Sequence, residues 1–385
     1  MNLPRLSLGR CAKIKLPSQA ASYSTASASE RICAKLPNRG VLSVSGTDSK
    51  TFLNGIVAAS IRDHPFYTVF LSAQGRVLYD VFIYPCTTDG RPGFLIDFDS
   101  RSSEATPLIT MLKRHILRSK VRVRDVSEEW NVWAVWGGAL GSNIPHREWR
   151  WGRSGASEPV YAEGEHLLGP EYTRDTIGAR DLRAPNMGER LLVRSGDKPA
   201  ISIGCDLARD GSQYILHRIK NAVPEGQEDI VPQHAFPMDS NMDMMGGLDF
   251  RKGCYVGQEL TVRTYHTGVI RKRIMPVSLS QEGLGHSSDT PSLPLHTSIQ
   301  AERLPSSSSD TSNRPTRPRG TGTLLSNVNG LGLALLRLEH VDGVEQGELE
   351  MNLVLPTDQH SAKWMVRPKR PTWWPTPLDD SEHAK

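Results

Sequence analysis

No apolar run in this 385-residue chain approaches the roughly 18 to 20 residues that a membrane-crossing helix requires, so no membrane span is expected. Cysteine is sparse, with five in all, and no C-x-x-C or Cys/His spacing of the zinc type occurs. That pattern excludes a disulfide framework and a self-contained metal site, and it fits a reducing interior. The signatures G-x-x-x-x-G-K, H-E-x-x-H and G-x-S-x-G are also missing, so no P-loop, zincin or nucleophile-elbow motif points to a site. Acid is absent from the first 29 positions, which hold Arg5, Arg10, Lys13 and Lys15. Those four cations account for the whole formal charge of +4, so the rest of the chain is neutral and nucleic-acid binding loses its main support.

The same opening segment, rich in Ser and Ala and without a continuous apolar core, reads as a mitochondrial transit peptide over residues 1–30. Beyond it, short strand-like runs alternate with helical stretches. RGVLSVSG is a strand, and Asp48 is a helix N-cap candidate followed by Phe52, Leu53, Ile56 and Val57 at helical spacing. YTVFL and RVLYDVFIY flank SAQG as a hairpin, and Leu108, Met111, Leu112, Ile116 and Leu117 share one face of a helix between Ser102 and Ser119. This interleaving indicates an α+β fold, with one subdomain over 31–160 and a second over 161–266. After that, GVIRKRIMPVSL, GTGTLLSNV, GLGLALLRL and ELEMNLVL read as strands of a small β-barrel over 267–366. GLGLAL begins like a dinucleotide fingerprint but lacks the third glycine, so the strand reading takes precedence. Residues 281–319, dense in Ser, Pro and Thr, are expected to be a disordered insertion between barrel strands. Residues 367–385 form a tail in which Trp373 and Trp374 are expected to pack back onto the barrel.

The run DFRKGCYVGQELTVR, 249–263, is the most unusual in the chain. Gly253 and Gly257 around Cys254 permit a tight turn with an outward-facing thiol, and Arg251 and Lys252 would favour its thiolate. Cys254 is therefore either an activated, partly exposed thiol or a buried structural cysteine. Catalysis by a cysteine nucleophile usually needs a base, and His234 and His266 are the nearest histidines, although spacing alone brings neither to the thiol. A cluster typically takes four protein ligands, so if Cys254 binds one, the other ligands come from a partner or a second copy. Arg271, Lys272 and Arg273 are candidates to receive an anionic tail such as a polyglutamate, or a solvated strand end.

Lys252-Gly253-Cys254-Tyr255-Val256-Gly257-Gln258-Glu259, followed by Arg263 and Gly268, resembles the K-G-C-Y-x-G-Q-E signature of the YgfZ-type proteins. These are a branch of the folate-binding family that includes the glycine-cleavage T protein. Segments resembling the family occur in family order from Arg39 to His340, and the basic opening segment directs the resemblance to its mitochondrial, transferase-like iron–sulfur assembly factors (CAF-type, Iba-type). The resemblance implies a T-protein-like fold: two α+β subdomains around a folate-sized central hole, then a C-terminal β-barrel. It implies a matrix protein acting late in the making of [4Fe–4S] proteins, with an A-type iron–sulfur scaffold protein as partner and aconitase and lipoate synthase as clients. Cys254 would be the functional cysteine and a ligand to a shared iron–sulfur cluster. Lys252, Tyr255, Gln258, Glu259 and Arg263 would contact the cofactor, with tetrahydrofolate as the small molecule. Where the T protein has paired acids, this chain keeps only Asp80. Folate-dependent aminomethyl or one-carbon transfer, the alternative function, would rest on that single carboxylate, which otherwise belongs simply to a strand.

Overall fold

The computed structural model describes residues 31–88, 90–138, 147–161, 176–199, 205–281, 290–304, 320–356 and 361–375. The expected transit peptide therefore lies outside the described residues. So does most of the final tail.

The first half of the chain is short strands separated by brief helices: β1 (Ile32–Lys35), β2 (Arg39–Ser45), α1 (Ser49–Asn54), β3 (Phe66–Leu71), β4 (Val77–Thr88), β5 (Arg91–Asp99), α2 (Leu108–His115), β6 (Arg122–Asp125) and β7 (Trp130–Trp136). There follow β8 (Glu148–Trp151), β9 (Ser157–Val160), β10 (Thr176–Arg180), β11 (Glu189–Arg194), β12 (Asp206–Leu207), α3 (Ser212–Lys220), α4 (Gly226–Asp229) and α5 (Gln258–Thr267). The last part comprises β13 (Lys272–Gln281), β14 (Ser298–Arg303), β15 (Gly322–Val328), β16 (Leu331–Arg337), α6 (Leu338–Glu345), β17 (Leu349–Pro356) and β18 (Ser361–Pro368). Among the described residues no helix is long and apolar enough to cross a membrane.

Two five-stranded sheets form the body, in the orders β3-β4-β5-β2-β6 and β10-β11-β7-β1-β12. The division expected at residue 160 does not follow these sheets, because β1 and β7 belong to the second one. Each is a short apolar strand whose pairing partners are distant in sequence, so nothing local marks the sheet it joins. α1 and α2 cover one face of the first sheet through Phe52, Leu53, Leu108, Met111 and Leu112. The other face, with Tyr67, Val69, Phe82 and Tyr84, packs against Trp136, Val132 and Leu192 of the second sheet and against a methionine-rich coil at Met238, Met242 and Met245. α2 is shorter than the apolar spacing predicts: Leu117, φ 47, leaves the helical region two residues beyond its end.

Strands β13-β16-β15-β14-β17-β18 close into a barrel. Alternation sends Met275, Val277 and Leu279 of β13 inward, where they meet Leu324, Leu336, Leu353 and Val366. GLGLAL belongs to this barrel: Asn329 and Gly330, both at positive φ, form the tight turn between β15 and β16, so no dinucleotide-binding turn exists there. The expectation of disorder across 281–319 is corrected in part. Ser298–Arg303 is a barrel strand paired with both β15 and β17, and Ile299 is fully buried. A six-residue strand with one fully buried side chain is too slight to stand out from the Ser/Pro-rich composition around it. Trp373 donates its indole N–H to the carbonyl of Asn221 at 3.0 Å, and Trp374 packs on the barrel core.

Buried charge joins the two sheets. Asp97 of β5 accepts from Arg39 at 2.6 Å and from Arg190 of β11 at 2.5 Å. Glu225 meets Arg190 at 2.9 Å and Arg183 at 2.7 Å, and Asp181 holds Arg183 at 2.6 Å. Burial alone would raise the Glu225 carboxyl, but Arg190, Arg183 and Arg39 hold it well below the usual carboxylate range.

Candidate functional site: the Cys254 turn and the cavity beside it

Residues 249–258 lie along the segment that leaves α1. The amide of Asp249 donates to Ala58 O at 3.0 Å and that of Val256 to Gly55 O at 3.2 Å, while Ser60 donates its hydroxyl to the Asp249 carboxylate at 2.6 Å. Lys252 fastens the centre of this contact, donating to the carbonyl oxygens of Asn54 (2.8 Å), Val57 (2.7 Å) and Ala59 (3.2 Å). Its ammonium also sits 4.9 Å from the ring centroid of Tyr255. Burial pushes the Lys252 amine down to about 8, against the opposing charge of Asp249. The Lys252 ammonium is thus anchored on carbonyl oxygens at and just beyond the end of α1, two residues from Cys254.

Cys254 is exposed. Tyr255 beside it is buried, and burial raises its phenol. Gln258 closes the turn by accepting the Tyr255 amide proton on its side-chain oxygen at 3.3 Å. Of the two glycines, only Gly257 is required by its conformation. It has φ 83, and a Cβ there would lie 2.4 Å from Ser72 O, whereas a Cβ on Gly253 would meet nothing within 4 Å. The hairpin turn after β3 thus sits directly against the start of α5. Glu259 and Arg263, expected near a cofactor, pair with each other at 2.5 Å on the exposed side of α5. His234 is exposed and bonded to Glu104 at 3.2 Å, His266 is exposed near the end of α5, and among the described residues neither hydrogen-bonds Cys254. No group of three or more His, Cys, Asp or Glu side chains among the described residues is placed to hold a metal ion.

The structure brings together Lys252, Cys254, Tyr255 and Gln258 but sets Asp80 apart. Asp80 lies within β4, as the strand reading requires, yet it is buried and accepts from the Gly226 amide at 3.1 Å. Burial raises its carboxyl to about 6, with Arg39 opposing. Arg273, a candidate for an anionic tail, is buried and bidentate to Asp243 at 2.8 and 2.9 Å. Arg271 and Lys272 line a separate cleft of about 340 Å³ beside α5.

Between the sheets, next to Asp249 and Arg251, lies a cavity of about 150 Å³ whose walls include Tyr67, Phe82, Glu158 and Arg183. Sequence reasoning missed these residues, and it also missed the buried charges nearby, for which the signal was charge within apolar strands, as at Asp97 in FLIDF and Arg190 in ERLLVR. Arg183 stacks over Phe82 at 4.9 Å and Tyr67 at 5.4 Å on the cavity wall. The cavity is smaller than the roughly 300 Å³ at which pockets for drug-sized ligands begin, and among the described residues the Tyr67 hydroxyl at its wall has no hydrogen-bond partner. Asp80 is not among the residues that line it.

Residues 271–376 match the family model described as "CAF17, C-terminal beta-barrel domain". The fold is similar to the crystal structure of glycine cleavage system aminomethyltransferase T from Bartonella henselae, with TM-score 0.56 at 10% identity, covering 88% of this chain and 85% of that one. Among curated proteins, the iron-sulfur cluster assembly factor IBA57 homolog, mitochondrial, of Cryptococcus neoformans var. neoformans serotype D (strain JEC21 / ATCC MYA-565) is 42% identical over 323 residues, 80% of this chain and 83% of the relative. The homolog of the same name from Aspergillus fumigatus is 38% identical over 330 residues, 80% of this chain and 70% of the relative. That from Mycosarcoma maydis is 34% identical over 404 residues, 97% of this chain and 90% of the relative. With barrel, T-protein-like body and K-G-C-Y-V-G-Q-E turn in place, the chain belongs to the family of mitochondrial iron–sulfur cluster assembly factors named IBA57 homologs.

Proposed function

We propose that this protein assists iron–sulfur cluster assembly in the mitochondrial matrix, and that Cys254 lends one thiolate to a cluster passing between partners. The observation that carries this is the contrast within one turn. Lys252, Tyr255, Gly257 and Gln258 are fastened to α1, to the hairpin or to the turn itself, while the Cys254 thiol is exposed. Such a turn presents a soft ligand at a fixed place and leaves the rest of the coordination sphere to another molecule. Iron would displace the thiol proton on binding, as metals do from cysteine. The chemistry fits an A-type iron–sulfur scaffold as the partner supplying the remaining ligands. [4Fe–4S] enzymes of the aconitase and lipoate-synthase type would be the clients.

Tetrahydrofolate, if it binds, would have only part of its length inside the small cavity between the sheets, and no step is assigned to it. A one-carbon transferase would need its carboxylate at that cavity, and Asp80 is bonded to the Gly226 amide instead.

The test is anaerobic reconstitution of the protein with an A-type scaffold, followed by visible absorption, for the parent and for Cys254→Ala. The expected result is a charge-transfer spectrum in the parent mixture that is weakened or altered by the substitution. Identical spectra, together with unchanged aconitase activity and lipoylation in cells carrying only Cys254→Ala, would remove Cys254 from the function.

A further inference from the structure

One end of the first sheet carries a cluster that cluster handling at Cys254 does not use. α2 ends in Lys113, Arg114 and His115, and the chain then turns through Leu117 into Arg118, Lys120 and Arg122. Leu117 stands 88% exposed in a left-handed conformation, φ 47, one that an unbranched-at-Cβ but bulky L-residue adopts at a cost in stability. Its neighbours Ile116 and Val121 pack on the core behind α2, so Leu117 alone projects.

The loop is held in place. The Lys120 amide donates to Asp48 at 2.7 Å, and a Cβ on Gly46 would lie 2.1 Å from Lys120 O, so the loop lies directly on the turn after β2. Register puts Arg122 opposite Ser45, with Gly93 on Ser45's other side, two residues from Arg91. Between them is an open groove of about 700 Å³ lined by Arg91, Lys120 and Arg122 with Ser45, Gly46 and Thr47. Arg91, Lys113, Arg114, Arg118, Lys120 and Arg122 are all exposed, and none forms an ion pair among the described residues. The adjacent acids are engaged: Asp48 by Lys120 N–H and the Thr47 hydroxyl, and Asp63 by Lys50 at 2.9 Å.

We propose that this end of the protein docks reversibly on an anionic phospholipid surface, with Leu117 entering the acyl boundary and the six cations lying at the level of the headgroup phosphates. A protein partner needs roughly 800 Å² on each side with several apolar anchors at the centre. Here a single exposed apolar side chain, Leu117, stands among exposed cations, which is the arrangement that suits a bilayer interface. Outside this tip and the basic opening segment, acidic residues outnumber basic ones, 42 against 36, so the attraction belongs to this tip and falls off within a screening length.

The experiment is co-sedimentation of the full chain with vesicles of phosphatidylcholine alone or of an equimolar mixture with phosphatidylglycerol. The parent is expected to sediment with the mixed vesicles only, and less so as salt is raised. Each neutralised cation should weaken binding about fivefold, so the triple change Lys113→Gln, Arg114→Gln, Arg118→Gln weakens it about a hundredfold. Leu117→Asn, which suits the left-handed conformation, should weaken it about tenfold while preserving the thermal midpoint. Every variant keeps the same basic opening segment, so loss on substitution reports the tip itself. The proposal is overturned by a parent that ignores mixed vesicles or binds neutral ones equally, or by variants that bind as the parent does. Capture by soluble poly-glutamate in preference to mixed vesicles also overturns it, in favour of an acidic protein partner.

Discussion

The ammonium of Lys252 lies 2.7 Å from the carbonyl oxygen of Val57, 195 residues earlier in the chain. This bond and its companions to Asn54 and Ala59 attach the cysteine turn to the end of α1. Lys252→Met keeps the bulk but leaves three carbonyls without their donor, and is expected to cost about 3 kcal/mol in urea unfolding. Cys254→Ser, at an exposed position, is expected to stay within about 0.5 kcal/mol of the parent. Equal stability of Lys252→Met and the parent would show that the lysine does not hold the turn.

The two glycines of the signature are predicted to differ. Gly257→Ala forces a positive φ on a residue with a Cβ that meets Ser72 O and Leu71, and should cost more than about 2 kcal/mol. Gly253→Ala meets open space at a φ that is not positive and should be tolerated within about 0.5 kcal/mol. Chemical denaturation of the two variants side by side checks the contrast.

Asp80 gives a pH signature. Its carboxyl is raised by burial to about 6 in the folded protein, against about 3.9 in an unfolded chain. A raised carboxyl binds its proton more tightly when folded, so its contribution is fully present below about pH 4 and is lost as pH rises through about 6. Asp80→Asn cannot ionise, and its side-chain oxygen still accepts from the Gly226 amide. The substitution is expected to gain about 2 kcal/mol relative to the parent at pH 7.5, with the gain vanishing near pH 4. Unfolding curves at the two pH values measure it, and a gain independent of pH would contradict the burial of an ionised Asp80.

Glu225 has the opposite sign. Its carboxyl is held down by Arg190, Arg183 and Arg39, so its stabilisation is present above the unfolded value of about 4.3 and is lost as pH falls through the lower folded value. Glu225→Gln leaves buried guanidinium groups uncompensated and should cost about 3 to 5 kcal/mol at neutral pH. The thermal midpoint at pH 7 is the measurement, and a change of less than about 1 kcal/mol would mean that Asp97 and Asp181 suffice for the three arginines.

Local pattern carried much of this structure. The hairpin around SAQG, the helix begun near Asp48 and four of the six barrel strands follow from alternation, apolar spacing and turn residues, which act over a few neighbours. The eight-residue run around Cys254 identified the family for the same reason, its residues being contiguous, while only the structure decided that the thiol is exposed and not buried. Sheet membership of β1 and β7, the strand hidden in the Ser/Pro-rich segment and the use of Lys252 as a carbonyl clamp depended on partners far along the chain, which spacing does not encode. Charge behaved in the same way. Asp97, Arg183, Arg190 and Glu225 are polar letters in the sequence, and only packing decided that they lie inside, paired across the two sheets, where burial makes each charge depend on its neighbours. Arg91, Lys113, Arg114, Arg118, Lys120 and Arg122 are equally ordinary in the sequence, and only the sheet register and the loop after α2 gathered them at one end.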